Sequence, residues 1–122
     1  MIDKVNLSEA LAQVSDHWTP RVVAAYNDET VQVLKVQGEF VWHRHEGTDD
    51  LFLVLSGAVT IQLRDGDIEV GAGELFVVPR GIEHCLRAEA EAELLVIERL
   101  GDMDAGLSPG ELLEPQRGRP SA

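Results

Sequence analysis

The chain has 122 residues, enough for one domain with a core of its own, and its 44% apolar residues mark it as globular rather than disordered. Lys and Arg total 10 against 22 Asp and Glu, for a net charge of −12. That balance argues against nucleic acid and anionic membranes as partners, both of which need clustered cations, and favours solubility and the attraction of metal ions. The single cysteine, Cys85, cannot form an internal disulfide, which is compatible with a reducing compartment. The opening MIDKVNLSEAL lacks the apolar core of a signal peptide, and no apolar run reaches the length of a membrane span. The expectation is a soluble, cytoplasmic protein.

Along the chain, Ser8 to Ser15 (SEALAQVS) predicts a short helix capped by Ser8, with Leu11 and Val14 on one face. Pro20 ends it. Everything after reads as β. Arg21 to Tyr26 is a short strand, Asn27-Asp28 a turn, and Thr30 to Gln37 a strand with Val31 and Val33 alternating against Gln32. Leu51 to Leu55 (LFLVL) is apolar throughout. Val59, Ile61 and Leu63 alternate with Thr60, Gln62 and Arg64, the period of a half-buried strand. Asp65-Gly66 predicts a tight hairpin into Ile68 and Val70. Leu75 to Val78 (LFVV) is a second continuous apolar run, closed by Pro79 and Gly81. His84 to Arg87 and Leu94 to Ile97 (LLVI) complete the set. Many short strands with frequent turns predict a closed barrel or sandwich. The continuous apolar runs predict burial on both faces, by the helix, another sheet or a second subunit, and hence a homodimer joined through one sheet. From Gly101 the chain turns rich in Gly, Pro and charge. The expected organisation is therefore a helix and lead-in strand over 1–28, a barrel over 29–100 and a tail over 101–122.

The chemistry concentrates on histidine. In His43-Arg44-His45 the two imidazoles sit at i and i+2, which on an extended chain project to the same face and can reach one ion. Asp49 and Asp50 follow, and either can supply an anionic oxygen. His84 comes after the Pro79-Arg80-Gly81 turn, where an antiparallel barrel can return it to the same place. His17, beside Trp18, reads as structural or surface. Cys85 adjoins His84 and should point away from it. Glu46 and Thr48 lie in the loop between His45 and Asp50 as candidate ligand contacts, weighed against simple solvation. Tyr26 is a candidate proton donor, weighed against a buried, satisfied tyrosine. Phe40, Trp42, Phe52 and Phe76 read mostly as core.

Gly38, four residues, His43-Arg44-His45, four residues, Asp50, six residues, Gly57 resembles the first motif of the cupins: Gly, five residues, His-x-His, three or four residues, Glu, six residues, Gly. Gly73, five residues, Pro79-Arg80-Gly81, two residues, His84 resembles the second, with Ala88 where that motif places Asn. The resemblance covers about Val31 to Glu98. It implies an all-β fold, a double-stranded β-helix or jelly roll with a short N-terminal helix. It also implies one divalent transition metal (iron, nickel, manganese, zinc or copper) on His43, His45, Asp50 and His84. Asp50 stands where a Glu one methylene longer is usual. The implied function is that of a small metal-dependent enzyme on a compact polar substrate, as an isomerase, dioxygenase or lyase. The alternative is a non-catalytic barrel that binds a small molecule such as a sugar. No catalytic acid or base is identifiable from the sequence.

Overall fold

A computed structural model describes residues 3–99. The expected tail, 101–122, lies outside the described residues. Helix α1 (Leu7–Ala12) is followed by strands β1 (Arg21–Tyr26), β2 (Glu29–Glu39), β3 (Asp50–Ser56), β4 (Ala58–Leu63), β5 (Gly66–Gly71), β6 (Leu75–Val78) and β7 (His84–Arg99). The helix is shorter than expected, and its cap is Asn6 rather than Ser8. Asn6 Oδ1 accepts from the backbone N–H of Glu9 at 2.9 Å. Asn6 and Glu9 stand three apart, the spacing at which a cap side chain meets an orphan amide of the first turn. Among the described residues no helix is long and apolar enough to cross a membrane.

The two expected strands at His84–Arg87 and Leu94–Ile97 are one. β7 runs for 16 residues, and its antiparallel partners are β2, β3 and β4. The β2–β7 register shifts between Val36 and Gly38, whose partners are Ala92 and Ala88. Gly38 takes φ +87°, and Glu89, Ala90 and Glu91 on the opposite strand are exposed. Extra residues on one strand of a pair bend it. β7 thereby serves two surfaces, β1-β2-β7-β3-β6 and the β4–β5 hairpin beside its first half. The result is the double-stranded β-helix. Its core between the surfaces includes Val36, Val54, Ile61, Leu86, Ala92 and Leu94, all buried.

Among the described residues, the continuous apolar runs are not buried on both faces. Along β3, Asp50, Phe52 and Val54 are buried, while Leu51, Leu53 and Leu55 are only half-buried. On β6, Leu75 is 57% exposed and Val77 is 40% exposed. α1 packs on β2, where Val33 is fully buried. The outer face is thus apolar but only partly covered.

Candidate metal centre

His43 and His84 meet as cross-strand neighbours. Each backbone N–H donates to the other's carbonyl, at 3.0 and 2.9 Å, in an isolated antiparallel bridge. This pairing carries His84 back to the His43-Arg44-His45 segment, far from it along the chain. That segment lies on an extended connection rather than within a named strand, yet the i, i+2 expectation holds in effect. His43 and His45 are both 6% exposed, with ring centroids 5.2 Å apart. The His43 and His84 rings approach to 4.4 Å. One nitrogen from each of His43, His45 and His84 lies within 4.8 Å of the others.

Backbone carbonyls behind the rings set which nitrogen faces inward. A carbonyl can only accept, so the Nδ1–H of His43 donates to Val41 O and the Nδ1–H of His84 to Ile82 O, each at 2.9 Å. Nε2 of both rings is left as the lone-pair nitrogen, which is how metal-binding imidazoles are commonly oriented. Burial lowers the pKa of His43 to about 4, helped by the charge of His84 and opposed by the Val41 hydrogen bond. Burial lowers His84 in the same direction. Both imidazoles are therefore neutral at pH 7, the form that can bind an ion.

Asp50 completes the cluster at the first residue of β3, 3% exposed. Its Oδ2 lies 3.1 Å from His45 Nε2 and 3.6 Å from His84 Nε2. Neighbouring ligands on one ion at about 2.1 Å per bond stand about 3.0–3.4 Å apart; the His45 separation falls in that range and the His84 separation just beyond it. Among the described residues, the buried His84 Nε2 has no hydrogen-bond partner of its own. A buried nitrogen left in that state is costly unless something coordinates it. The donor set therefore fits a divalent transition metal, and the missing methylene of Asp50 does not keep it from the histidines.

Other candidates fall elsewhere. Asp49 turns outward, as the neighbour of an inward residue on a strand must. Its Oδ1 accepts from the Arg80 backbone N–H at 2.8 Å, and this bond and the Arg80 side chain hold its pKa down. Arg44 also faces away, toward Glu46 and Glu83. Thr48 is buried and structural: it donates to Asp49 O and accepts from the Arg99 N–H, while Glu46 is exposed. Tyr26 is 61% exposed, which overturns the buried reading, and it is not among the cleft-lining residues described. His17 pairs with Glu91 at 3.1 Å, and Cys85 is buried beside Glu39, away from the cluster. Trp42 lies under the Arg64 guanidinium at 3.8 Å.

The cluster opens into a cleft. Its walls include Leu34, Leu86 and Val96 and the expected Phe40 and Phe52. Three further lining residues are not singled out by the sequence motifs: Trp18, Gln32 and Glu98. Trp18 takes φ +62°, an uncommon conformation for a bulky residue. It is held by its indole N–H donating to Gln37 O at 2.9 Å and by stacking on Phe40 at 5.0 Å. Gln32 and Glu98 could have been found by carrying the two-residue period along Gln32-Leu34 and Leu94-Val96-Glu98, which puts them on the inner face.

Residues 30–98 match the cupin domain family. The chain is a cupin. A cupin-2 domain protein from Shewanella frigidimarina shares its fold at a TM-score of 0.77 and 41% identity, over 78% of this cupin and 93% of that chain. A putative dioxygenase from Saccharolobus solfataricus is 32% identical over 91 residues, 72% of this chain. An acireductone dioxygenase from Rhodopseudomonas palustris is 36% identical over 67 residues, 52% of this chain. The matched region spans only 24% and 40% of those two dioxygenases.

Proposed function

We propose that this cupin holds one divalent transition metal on His43, His45, His84 and Asp50, and that it is a small metal-dependent enzyme acting on a compact molecule in the adjoining cleft. The observation that carries the reading is the convergence of three buried imidazoles, two with Nδ1 tied to backbone carbonyls, on the Asp50 carboxylate. When bound, the metal would supply Lewis-acid activation of a ligand oxygen, or dioxygen chemistry if it is iron. The chain's own residues do the rest. The Val41 and Ile82 carbonyls fix two imidazole tautomers, and the apolar walls keep water from the polar end. Of the three reaction types, oxygenation has the support of the two dioxygenase-named relatives.

The test is chelation and return of metal. Chelated protein should melt at a lower temperature and recover with one equivalent of a particular ion, while His84→Ala should show no recovery. Oxygen uptake on adding candidate substrates separates an enzyme from the alternative, a binding barrel that is stabilised by ligands but forms no product. A chelated wild type whose melting no transition metal alters would sink the proposal.

A second proposal concerns assembly. The register aligns Val31, Ile97, Leu51 and Val77 across four strands, and Val33, Leu95, Leu53 and Leu75 in the next outer row. Such a face on β3 and β6 suits a homodimer formed through this sheet.

A further inference from the structure

The polar end of the cleft is larger than the motifs account for. The β2–β7 register pairs Thr30 with Glu98, and the β3–β7 register pairs Leu51 with Ile97. One step further along, Asp50 and Glu98 come side by side on the inner face. Glu98 is 5% exposed, and a carboxylate oxygen of Glu98 lies within 4.8 Å of donor atoms of both His45 and Asp50. Thr30 Oγ1 donates to the Glu98 carbonyl at 3.1 Å. Gln32 Nε2 donates to Glu98 Oε2 at 3.2 Å and to Thr30 Oγ1 at 3.1 Å. Backbone and side chain of Glu98 are thus both held, with the carboxylate at the cleft. Burying a carboxylate costs free energy that an apolar residue, packed as Val96 is, would avoid.

The composition of the lining says what such a carboxylate can select. Among the described residues that line the cleft there is no Arg or Lys. The polar end presents the acceptor oxygens of Asp50 and Glu98, and the side walls present the stacked Trp18 and Phe40 rings. As two carboxylates, Asp50 and Glu98 would together balance one divalent ion. An anionic ligand would meet them with no cationic side chain to compensate. A flat molecule carrying neutral hydroxyl groups would place donors on the acceptors and its ring along the aromatic walls. We infer that Glu98 is a specificity-determining residue, which accepts a hydrogen bond from a ligand hydroxyl and selects a neutral, hydroxyl-bearing planar molecule over a carboxylate or phosphate of similar size. The inference rests on the proposed metal centre for the charge balance and on the cleft lining for the rest.

The test compares catechol with benzoate, a neutral and an anionic probe of similar size, by titration calorimetry on zinc-loaded protein whose zinc content is measured first. The wild type should prefer catechol by at least about tenfold, and Glu98→Gln should lower that preference by about tenfold or more, weakening catechol and strengthening benzoate. Glu98→Asp should keep part of the preference. A merely bracing Glu98 would leave the ratio unchanged while both affinities fell together, and that outcome overturns the inference. So does a wild type that binds benzoate as tightly as catechol, whether or not the variant folds. A wild type that takes up no zinc tells against the metal centre instead, and the ratio is then read on the metal-free protein, where Glu98→Gln should shift it in the same direction.

Discussion

At the scale of single residues, His43 couples the site to the stability of the fold. Its pKa is about 4 in the folded chain against an ordinary value of 6.5. Above pH 6.5 neither state binds the proton, so the shift contributes nothing. Below that, the unfolded chain takes up a proton that the folded chain refuses, and stability falls until the folded pKa is reached. The metal-free protein should therefore lose stability between pH 6.5 and 4, by up to about 3 kcal/mol from this group, with His84 acting in the same direction. Denaturant unfolding at pH 7 and at about pH 5 measures it, and His43→Gln should flatten the slope. A slope unchanged by that substitution would assign the whole effect to other groups, His84 among them. Two glycines separate backbone strain from crowding. A Cβ added at Gly57 (φ +81°) would lie 3.0 Å from Ala92 Cβ and 3.1 Å from Ala92 Cα, whereas one added at Gly73 (φ +84°) would meet nothing within 4 Å. Gly73→Ala should cost about 1–3 kcal/mol through the backbone alone, and Gly57→Ala clearly more. Equal losses would mean that the close approach of β7 to this turn does not matter. The histidines are legible in the sequence because their chemistry is rare and their spacing specific. Trp18 is not, because its place on the wall depends on a positive φ and on contacts with Gln37 and Phe40 that no local pattern encodes.

Among the strands, the two-residue period puts Val59 and Ile61 of β4 inward as expected, but on β2 it is Gln32 that faces the cleft while Val31 and Val33 lie in the outer rows; β3, β4 and β6 begin and end close to where turns and apolar runs predict. β7 reads as two strands in the sequence because Ala88 to Ala92 is poor in β-formers. Tertiary pairing with β2, β3 and β4 carries the strand through that stretch all the same. The apparent break hides Glu98. Only a continuous β7 in register with β3 sets its side chain next to Asp50. The apolar runs are plain in the sequence, but what they imply is not, since burial on one face and an apolar opposite face look alike there. That outer face, with Leu75 and Val77 its most exposed members, carries the dimer proposal. Light scattering should give twice the chain mass for the wild type, and Leu75→Lys with Val77→Lys should give the single mass without loss of the β-sheet spectrum. A wild type of single mass at all concentrations would reject it.

For the whole molecule, charge and architecture act together. A chain of net charge −12 raises the local concentration of cations, and the barrel offers them a buried cluster of imidazoles and carboxylate. Family membership rests on residues 30–98, and the fold it implies is legible because both motifs pin turns as well as ligands. The ligand is not legible, because the cleft walls come from β2, β3, β7 and the segment after α1, which only the closed barrel brings together. The most direct measurement is elemental analysis of protein made without a histidine tag, alongside His43→Ala, His45→Ala and His84→Ala. One transition-metal ion per chain in the wild type, lost in each variant while the β-sheet spectrum persists, is the expected result. A wild type without stoichiometric metal, or variants that retain it, would contradict the assignment of this site.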